Sequence, residues 1–527
     1  VERADQEWDK QFFRRQKTRD AIKRLTGERR ITIVVGAGAS AEVGFPLWNE
    51  LVERLLLRAM SPETPPDSLD YDPAVQQTAA RAIADGGALG AATMARAVLG
   101  DRFNEELSNC LYHWPNRWQF NRPGSTAWAV AKLYGVMAAQ GDTCEILTTN
   151  YDVTLEEALA KELQAEVKPF CEDSEEPEGN PVVRHLHGVL TEAGDAQEVT
   201  LTEADYHAAD ATGLPWQESH LRRRLKDSTV IFIGASLTDQ HLLRYIFRYA
   251  TPERPPVALL VQDGDDVGPV DERHAPDAVE DHLDSLRRGR WEYAHLDALR
   301  ADFRAQPAQF LHEVAHHKES SSAVRYGKRL DAWFEAVSSD LGLTSEESFH
   351  ISQHSMQEIA EEWLEGIVRE LEEAGHDLSE ETLAVHLWCR APSRLKDVDA
   401  AVDTPTQLTS LAMIGCSDRT WTNPRAIDVR LITQPSSRAA VDAFCWGTPQ
   451  LEFPEGQPKW HWILATPVMI EESRIWGRLP VGAVTLVSDR DREESVLATL
   501  DTELMGEIER FLATVASGAL TPTSESD

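Results

Sequence analysis

Hydrophobic positions in the first half of the chain form short runs separated by stretches of helical periodicity, and the runs end in glycine, asparagine, histidine or serine. Ile33-Val34-Val35 leads into Gly36-Ala37-Gly38-Ala39-Ser40, which reads as a buried strand opening onto a glycine turn and a helix start. Before it, residues 5–27 place Trp8, Phe12, Phe13, Ile22 and Leu25 at helical spacing, and after it Leu51, Val52 and Leu55 to Leu57 mark a helix over Trp48–Met60. Cys144–Thr149, Pro181–Gly188, Thr229–Ala235, Pro256–Gln262 and Arg290–Asp297 read as further strands, with helices after Asp152 and over His241–Tyr249. Strands alternating with helices predict an α/β domain built on a doubly wound parallel sheet. An ordinary dinucleotide fold returns at once to a second strand, but here a proline-rich stretch from Ser61 is followed by alanine-rich sequence. Residues 61–140 are therefore expected to form a helical insertion over the mouth of the site.

The second half has a different rhythm. Residues 324–342 and 352–375 carry helical patterns, the latter with Ile359, Trp363, Ile367 and Leu371 along one face, and suit a connector or an oligomer seam. Strand-like segments follow at Thr382–Cys389, Leu408–Gly415, Ser436–Phe453, Trp460–Met469 and Pro480–Val487, before a closing helix over Leu500–Ala516. This predicts an α+β domain. The expected division is 1–318, 319–375 and 376–518, with a flexible tail over 519–527.

Composition narrows the ligands. With 527 residues, 42% hydrophobic and 27% charged, the chain has the make-up of a multidomain globular protein. Its formal charge of −36, from 52 basic and 88 acidic residues, disfavours general nucleic-acid binding and anionic membrane surfaces. No run reaches the length of a membrane span and the first ten residues are charged, so a cytoplasmic protein is expected. The six cysteines contain no Cys-x-x-Cys pair, which argues for reduced thiols rather than disulfides or a zinc ribbon.

The glycine turn is a phosphate cradle by chemistry. Glycines let backbone N–H groups approach an anion, and Gly36-x-Gly38-x-x-Ala41 is a permitted dinucleotide fingerprint, though also an ordinary tight turn. Three later strand ends add Asn150 and Asp152, His187, and Ser236 with Asp239. Singly, these have plain structural roles as caps or a satisfied core histidine. A separate motif, His312-Glu313-x-x-His316, has the spacing of a metalloprotease helix but lacks an evident third ligand, so no metal is assigned.

In order, Gly-Ala-Gly-x-Ser, Thr-x-Asn-x-Asp, Leu-His-Gly and Gly-x-Ser-Leu resemble the sirtuin family over residues 25–300. The resemblance implies a Rossmann-like, sirtuin-type sheet that binds NAD and breaks its nicotinamide–ribose bond. Gly36, Ala37, Gly38 and Ser40 would then hold the pyrophosphate, with Pro46 and Trp48 closing over the nicotinamide side. Asp152 would contact the nicotinamide amide, and Gly234 and Ser236 would line the adenosine half. Asn150 would order ribose hydroxyls or the attacking water, and His187 would act as base. The interval that holds four zinc cysteines in sirtuin deacylases holds none here, and Gly44-Phe45-Pro46-Leu47-Trp48 lacks their Asp-Phe-Arg. Both departures resemble the sirtuin-like NAD hydrolases of bacterial antiviral defence, implying an NAD glycohydrolase that depletes NAD in abortive infection. The alternatives are a non-catalytic sensor of NAD or ADP-ribose and, more remotely, a deacylase. In residues 376–518 a helix-like Ser437-Arg438-Ala439-Ala440-Val441, a Pro449-Gln450-Leu451-Glu452 strand, a Leu464-Ala465-Thr466-Pro467-Val468 strand, Val481-Gly482-Ala483-Val484-Thr485-Leu486 and a terminal helix follow in an order that resembles a GAF domain, implying a sensor or dimerisation module and a homo-oligomer gated by an unidentified ligand or protein.

Overall fold

The computed structural model describes residues 12–65, 71–113, 124–171, 181–211, 216–235, 237, 239–261, 286, 289–320, 324–343, 346–391, 410–419, 426–428, 439–454, 459–473, 477–491, 494–500 and 502–522. Trp8, Trp114, Trp118, the acidic residues 172–180, Ser236 and the tail beyond 522 lie outside them.

The first half is a doubly wound parallel sheet. Its strands are β1 (Arg30–Val35), β2 (Thr143–Thr148), β3 (Lys168–Phe170), β4 (Val182–His185), β7 (Thr229–Ile233), β8 (Val257–Val261) and β9 (Asp297–Ala301), while β5 (Val189–Leu190) and β6 (Ala196–Gln197) form a small separate ribbon. The order is β3-β4-β2-β1-β7-β8-β9, and every pairing is parallel. Successive strands leave β1 on one side through β2 and return on the other through β7, so the topological switch point lies beside β1. Ligands of open α/β sheets bind at the carboxyl edge of such a point.

Helices on both faces explain why the strands are continuous apolar runs. Ile31, Ile33, Val35, Ile146 and Ile231 bury on one face against helices Gln16–Gly27, Thr126–Ala139, Thr154–Leu163 and Gln306–Glu319. Val34, Leu147, Val230 and Phe232 bury on the other against Trp216–Asp227 and Gln240–Tyr249. Of the stretch 61–140, helices Pro73–Leu99 and Phe103–Tyr112 join Trp48–Met60 in a separate apolar cluster that also takes Tyr151 and Leu190, whereas Thr126–Ala139 packs on the sheet itself. The strand expected over Arg290–Asp297 begins only at Asp297. Residues 289–293 are helical, with Trp291 and Ala294, three apart, buried towards the sheet.

The second half is a six-stranded antiparallel sheet. Strands β10 (Leu383–Ala391), β11 (Ser410–Cys416), β12 (Ala426–Asp428), β13 (Gln450–Glu452), β14 (Trp462–Ser473) and β15 (Gly477–Ser488) are ordered β12-β11-β10-β15-β14-β13. Val385, Leu387 and Cys389 face helices Glu346–Glu373 and Thr502–Leu520, while Trp388, Leu411 and Ala483 face helix Ala439–Trp446, the alternation of a sheet covered on both sides. Within Ser436–Phe453, the helix expected at Ser437–Val441 runs over Ala439–Trp446, with Ala440, Val441, Phe444 and Cys445 as one helical stripe, and the expected Pro-Gln-Leu-Glu strand is the short β13. The Thr502–Leu520 helix extends into the segment expected as a tail. No described helix is long and apolar enough to cross a membrane.

Helix Gln306–Glu319 joins the halves. Ala305 N–H donates to Cys445 O at 2.8 Å, and Gln309 Nε2 donates to Arg478 O at 2.5 Å. One turn further along the same helix, Glu313 pairs with Arg329 of helix Tyr326–Asp340, with side chains only 2% and 1% exposed. Burial raises the Glu313 carboxyl above its ordinary value and the guanidinium opposes that rise. Arg329→Met is expected to cost about 3–5 kcal/mol by stranding a buried carboxylate, and adding Glu313→Gln should recover much of it, as read by chemical denaturation.

Candidate functional site

Three glycines interlock at the switch point. Gly36 N–H donates to Ile233 O at 2.9 Å and Gly38 N–H to Gly234 O at 2.8 Å, tying the turn after β1 to the end of β7. A Cβ on Gly36 would stand 2.6 Å from Ala235 Cα, and one on Gly234, whose φ is +64°, would stand 2.6 Å from Ala39 N. The glycines are thus required by strand-end packing, and the N–H groups of Gly36 and Gly38 are spent inside the protein. Ala37 begins the short helix Ala37–Ala41, and Glu42 beyond it accepts from Thr126 N and Oγ1, both at 2.7 Å.

Ser40 lies at the centre of a polar chain. Asn150 Nδ2 donates to Gly36 O at 3.2 Å and to Ser40 Oγ at 2.9 Å, and Ser40 Oγ donates to Asp152 Oδ1 at 3.1 Å. Gly36 O can only accept, so the carboxamide has one orientation. Its Oδ1 is buried and has no partner among the described residues. Such an acceptor is costly unless a ligand or water supplies a donor. Asp152 Oδ1 also accepts from Thr154 N at 3.1 Å, so the carboxylate positions the start of helix Thr154–Leu163.

Behind Asn150 lies a histidine that sequence reasoning missed. His185 Nδ1 donates to Asn150 O at 2.8 Å and its Nε2 to Glu156 Oε1 at 2.7 Å. Both partners are acceptors, so both ring nitrogens carry hydrogen. Burial opposes the charge, but Glu156 and the Asn150 carbonyl outweigh it and raise the His185 pKa above its ordinary value.

His187, two residues on, sits at the rim. Its Nε2 is 2.7 Å from Asp239 Oδ2, and the side chains are 15% and 25% exposed. The Asp239 Oδ1 also accepts from Leu242 N at 3.3 Å, at the start of helix Gln240–Tyr249. This carboxylate fixes the hydrogen on Nε2 and leaves Nδ1 as the basic nitrogen. The His187 ring lies 5.8 Å from Tyr206, whose hydroxyl is kept protonated by burial and by Asp239. Gly188, at φ +86°, turns the chain away into β5.

The remaining expected residues are distributed around this edge. Pro46 is buried and Trp48 half-buried, the latter packed on the cluster built by the Pro73–Leu99 and Phe103–Tyr112 helices. Gly234 is the glycine of the interlock, and Ser236 lies outside the described residues. Away from the edge, Glu313 of the His-Glu-x-x-His motif is committed to Arg329, and burial with Arg329 pushes His316 down to about 4. The residues missed from sequence are His185, Glu156 and the pairing role of Asp239. Only Asp239, at a strand end, carried a signal.

Residues 144–285 match the family described as SIR2-like domain. That span begins in β2 and contains Asn150, Asp152, His187 and Asp239, while the glycine turn lies before it. No curated protein matches the chain. A solved structure concerning the mechanism and regulation of Sir2 enzymes is similar at 12% identity, covering 58% of this chain and 97% of that one, with a TM-score of 0.26.

The buried His185 makes stability depend on pH. Its raised folded pKa means that its contribution is full below the unfolded value, about 6.5, and is lost as pH rises through the folded value. In urea titrations, the wild-type advantage over His185→Gln should be largest near pH 6 and shrink towards alkaline pH, and Glu156→Gln should abolish that trend.

Proposed function

We propose that the chain is an NAD glycohydrolase, cleaving the nicotinamide–ribose bond of NAD with water to give nicotinamide, ADP-ribose and a proton. The reading extends the SIR2-like match, which supports an NAD-related enzyme in general, by the chemistry of this edge. The observation that carries it is the buried, unpartnered Asn150 Oδ1, with the Asp239-bound His187 on the neighbouring strand end.

Glycosidic cleavage passes through an oxocarbenium-like state with nicotinamide as a good leaving group, so orientation and hydrogen bonds to ribose matter more than a strong acid. Asn150 Oδ1 would accept a hydrogen bond from a ribose hydroxyl or from the attacking water. His187 Nδ1 would take the proton, and Asp239 would stabilise the imidazolium formed, the division of labour seen in a triad. In this proposal Ala37 and the surrounding turn would carry the pyrophosphate, and Pro46 and Trp48 would border the nicotinamide. Asp152 would contact the nicotinamide amide through the oxygen not given to Ser40, and Gly234 and Ser236 would line the adenosine half. Ser40's hydrogen bonds to Asn150 and Asp152 support an orienting role towards Asn150 beside its expected phosphate contact.

The absence of the deacylase signatures supports NAD destruction over deacylation, and an effector that depletes NAD in antiviral defence is the matching biological role. Such an activity needs restraint. The C-terminal half, in contact with helix Gln306–Glu319, is the proposed gate, through an activating ligand or self-association.

Nicotinamide release from NAD tests the reaction. Asn150→Ala should abolish it, His187→Ala should lower it about 10²–10⁴-fold, and Asp239→Asn should lower it more than about tenfold. Full activity in Asn150→Ala would remove the mechanism. Tight ADP-ribose binding without nicotinamide release under any condition would favour a sensor.

A further inference from the structure

The C-terminal sheet gathers a second cluster of reactive side chains. His386 on β10, Cys416 at the end of β11 and Asp418 in the following turn bring one donor atom each within 4.8 Å of one another. His386 is 8% and Cys416 1% exposed, and His386 Nε2 has no hydrogen-bond partner among the described residues. The Cys416 thiol donates to Asp418 Oδ1, and His386 Nε2 stands 3.6 Å from the same oxygen.

A β-bulge builds this arrangement. Met413 pairs with Trp388 and Gly415 with Leu387, so Ile414 is the extra residue that reverses the alternation of β11 and sets Cys416 opposite His386 on one face. The bulge is held from behind. Gln353 Nε2 donates to Ile414 O at 2.9 Å, and Gly415 leaves room for Met356, whose carbonyl oxygen would lie 3.3 Å from a Cβ there. The turn is held as well, because Ser417 N–H donates to Val385 O at 3.0 Å and Ser417 Oγ accepts from Val385 N at 2.9 Å. The ammonium of Lys459 pairs with Asp418 Oδ2, leaving Oδ1 turned towards the thiol and the imidazole.

We propose that His386, Cys416 and Asp418 bind a thiophilic divalent cation, zinc by donor chemistry, at a site separate from the NAD edge. An imidazole, a thiolate and a carboxylate form a zinc donor set, whereas a thiolate is a poor ligand for magnesium or calcium. Donors about 2.0–2.3 Å from a tetrahedral ion lie about 3.5 Å apart, so small side-chain rotations bring these atoms onto a common centre. Binding replaces the thiol proton by the metal and leaves a fourth position for water or an external ligand. Lys459 would orient the carboxylate through Oδ2, a supporting contact of the kind that tunes metal sites.

The test uses the full chain, stripped with chelator and titrated with Zn²⁺ alone and with Co²⁺ alone. One tightly held ion per chain is expected, with a thiolate-to-cobalt charge-transfer band in the ultraviolet. Cys416→Ser should abolish that band, and His386→Gln and Asp418→Asn should each weaken Zn²⁺ binding at least tenfold. His312→Ala, in the other histidine motif, should leave it unchanged. Zn²⁺ should also protect Cys416 from alkylation in the unmodified chain, a readout that does not depend on any variant folding. Failure of the wild-type chain to retain zinc, a cobalt band that survives Cys416→Ser, or zinc lost on His312→Ala instead would each overturn the assignment.

Discussion

The steric interlock of Gly36, Gly38 and Gly234 is the constraint from which the candidate site follows. Two strand ends on either side of the topological switch approach so closely that a Cβ at Gly36 or Gly234 would fall 2.6 Å from a backbone atom of the other. That approach places Gly36 O where Asn150 Nδ2 reaches it, 114 residues away in sequence. In the proposed reaction the turn would therefore do more than admit a phosphate. It sets the carboxamide plane of the residue on which the proposed chemistry turns, and the donors it spends internally shift the burden of anion binding to neighbouring amides.

Asn150 and His187 were legible because each terminates an apolar run, and a run that breaks into polar residues at the carboxyl end of a parallel strand marks the ligand edge. Their partners were not. Ser40 orients Asn150 across 110 residues, Asp239 meets His187 across 52, and Glu156 meets His185 across 29. Such contacts are consequences of strand order, which periodicity does not encode. His185 was hidden for a further reason. In Arg184-His185-Leu186-His187 the two histidines sit two apart, and only the turn of the chain after β4 sends one into the core beneath Asn150 and leaves the other at the rim.

The second half shows the same division between what a pattern carries and what it does not. Alternating apolar positions located most of its strands, and the structure assigns them to one antiparallel sheet. Strict alternation also hid its most reactive cluster. Counting by twos from Ala412 puts Cys416 on the face of Ile414, opposite to where the bulge places it. A single inserted residue, stabilised by Gln353 from a helix, changes which side chains share a face, and no composition rule anticipates it.

The two halves share one packed interior. Residues of the parallel sheet, of helix Gln306–Glu319 and of β10, β14 and β15 belong to one continuous buried cluster, and Trp333 Nε1 donates across it to Leu520 O at 2.8 Å. Closely packed interiors transmit strain instead of absorbing it, so a change at the antiparallel sheet has a direct route to helix Gln306–Glu319. That helix meets the C-terminal sheet through Gln309 and packs against Thr126–Ala139, whose first turn is bound by Glu42 just beyond the glycine loop. A displacement of the Gln306–Glu319 helix would therefore reach the Gly36–Ser40 turn through one intervening helix, and with it the orientation of Asn150. Restraint of the proposed reaction requires no lid over the site, only a packing arrangement in which that turn is held slightly away from the geometry that aims Oδ1 at its ligand.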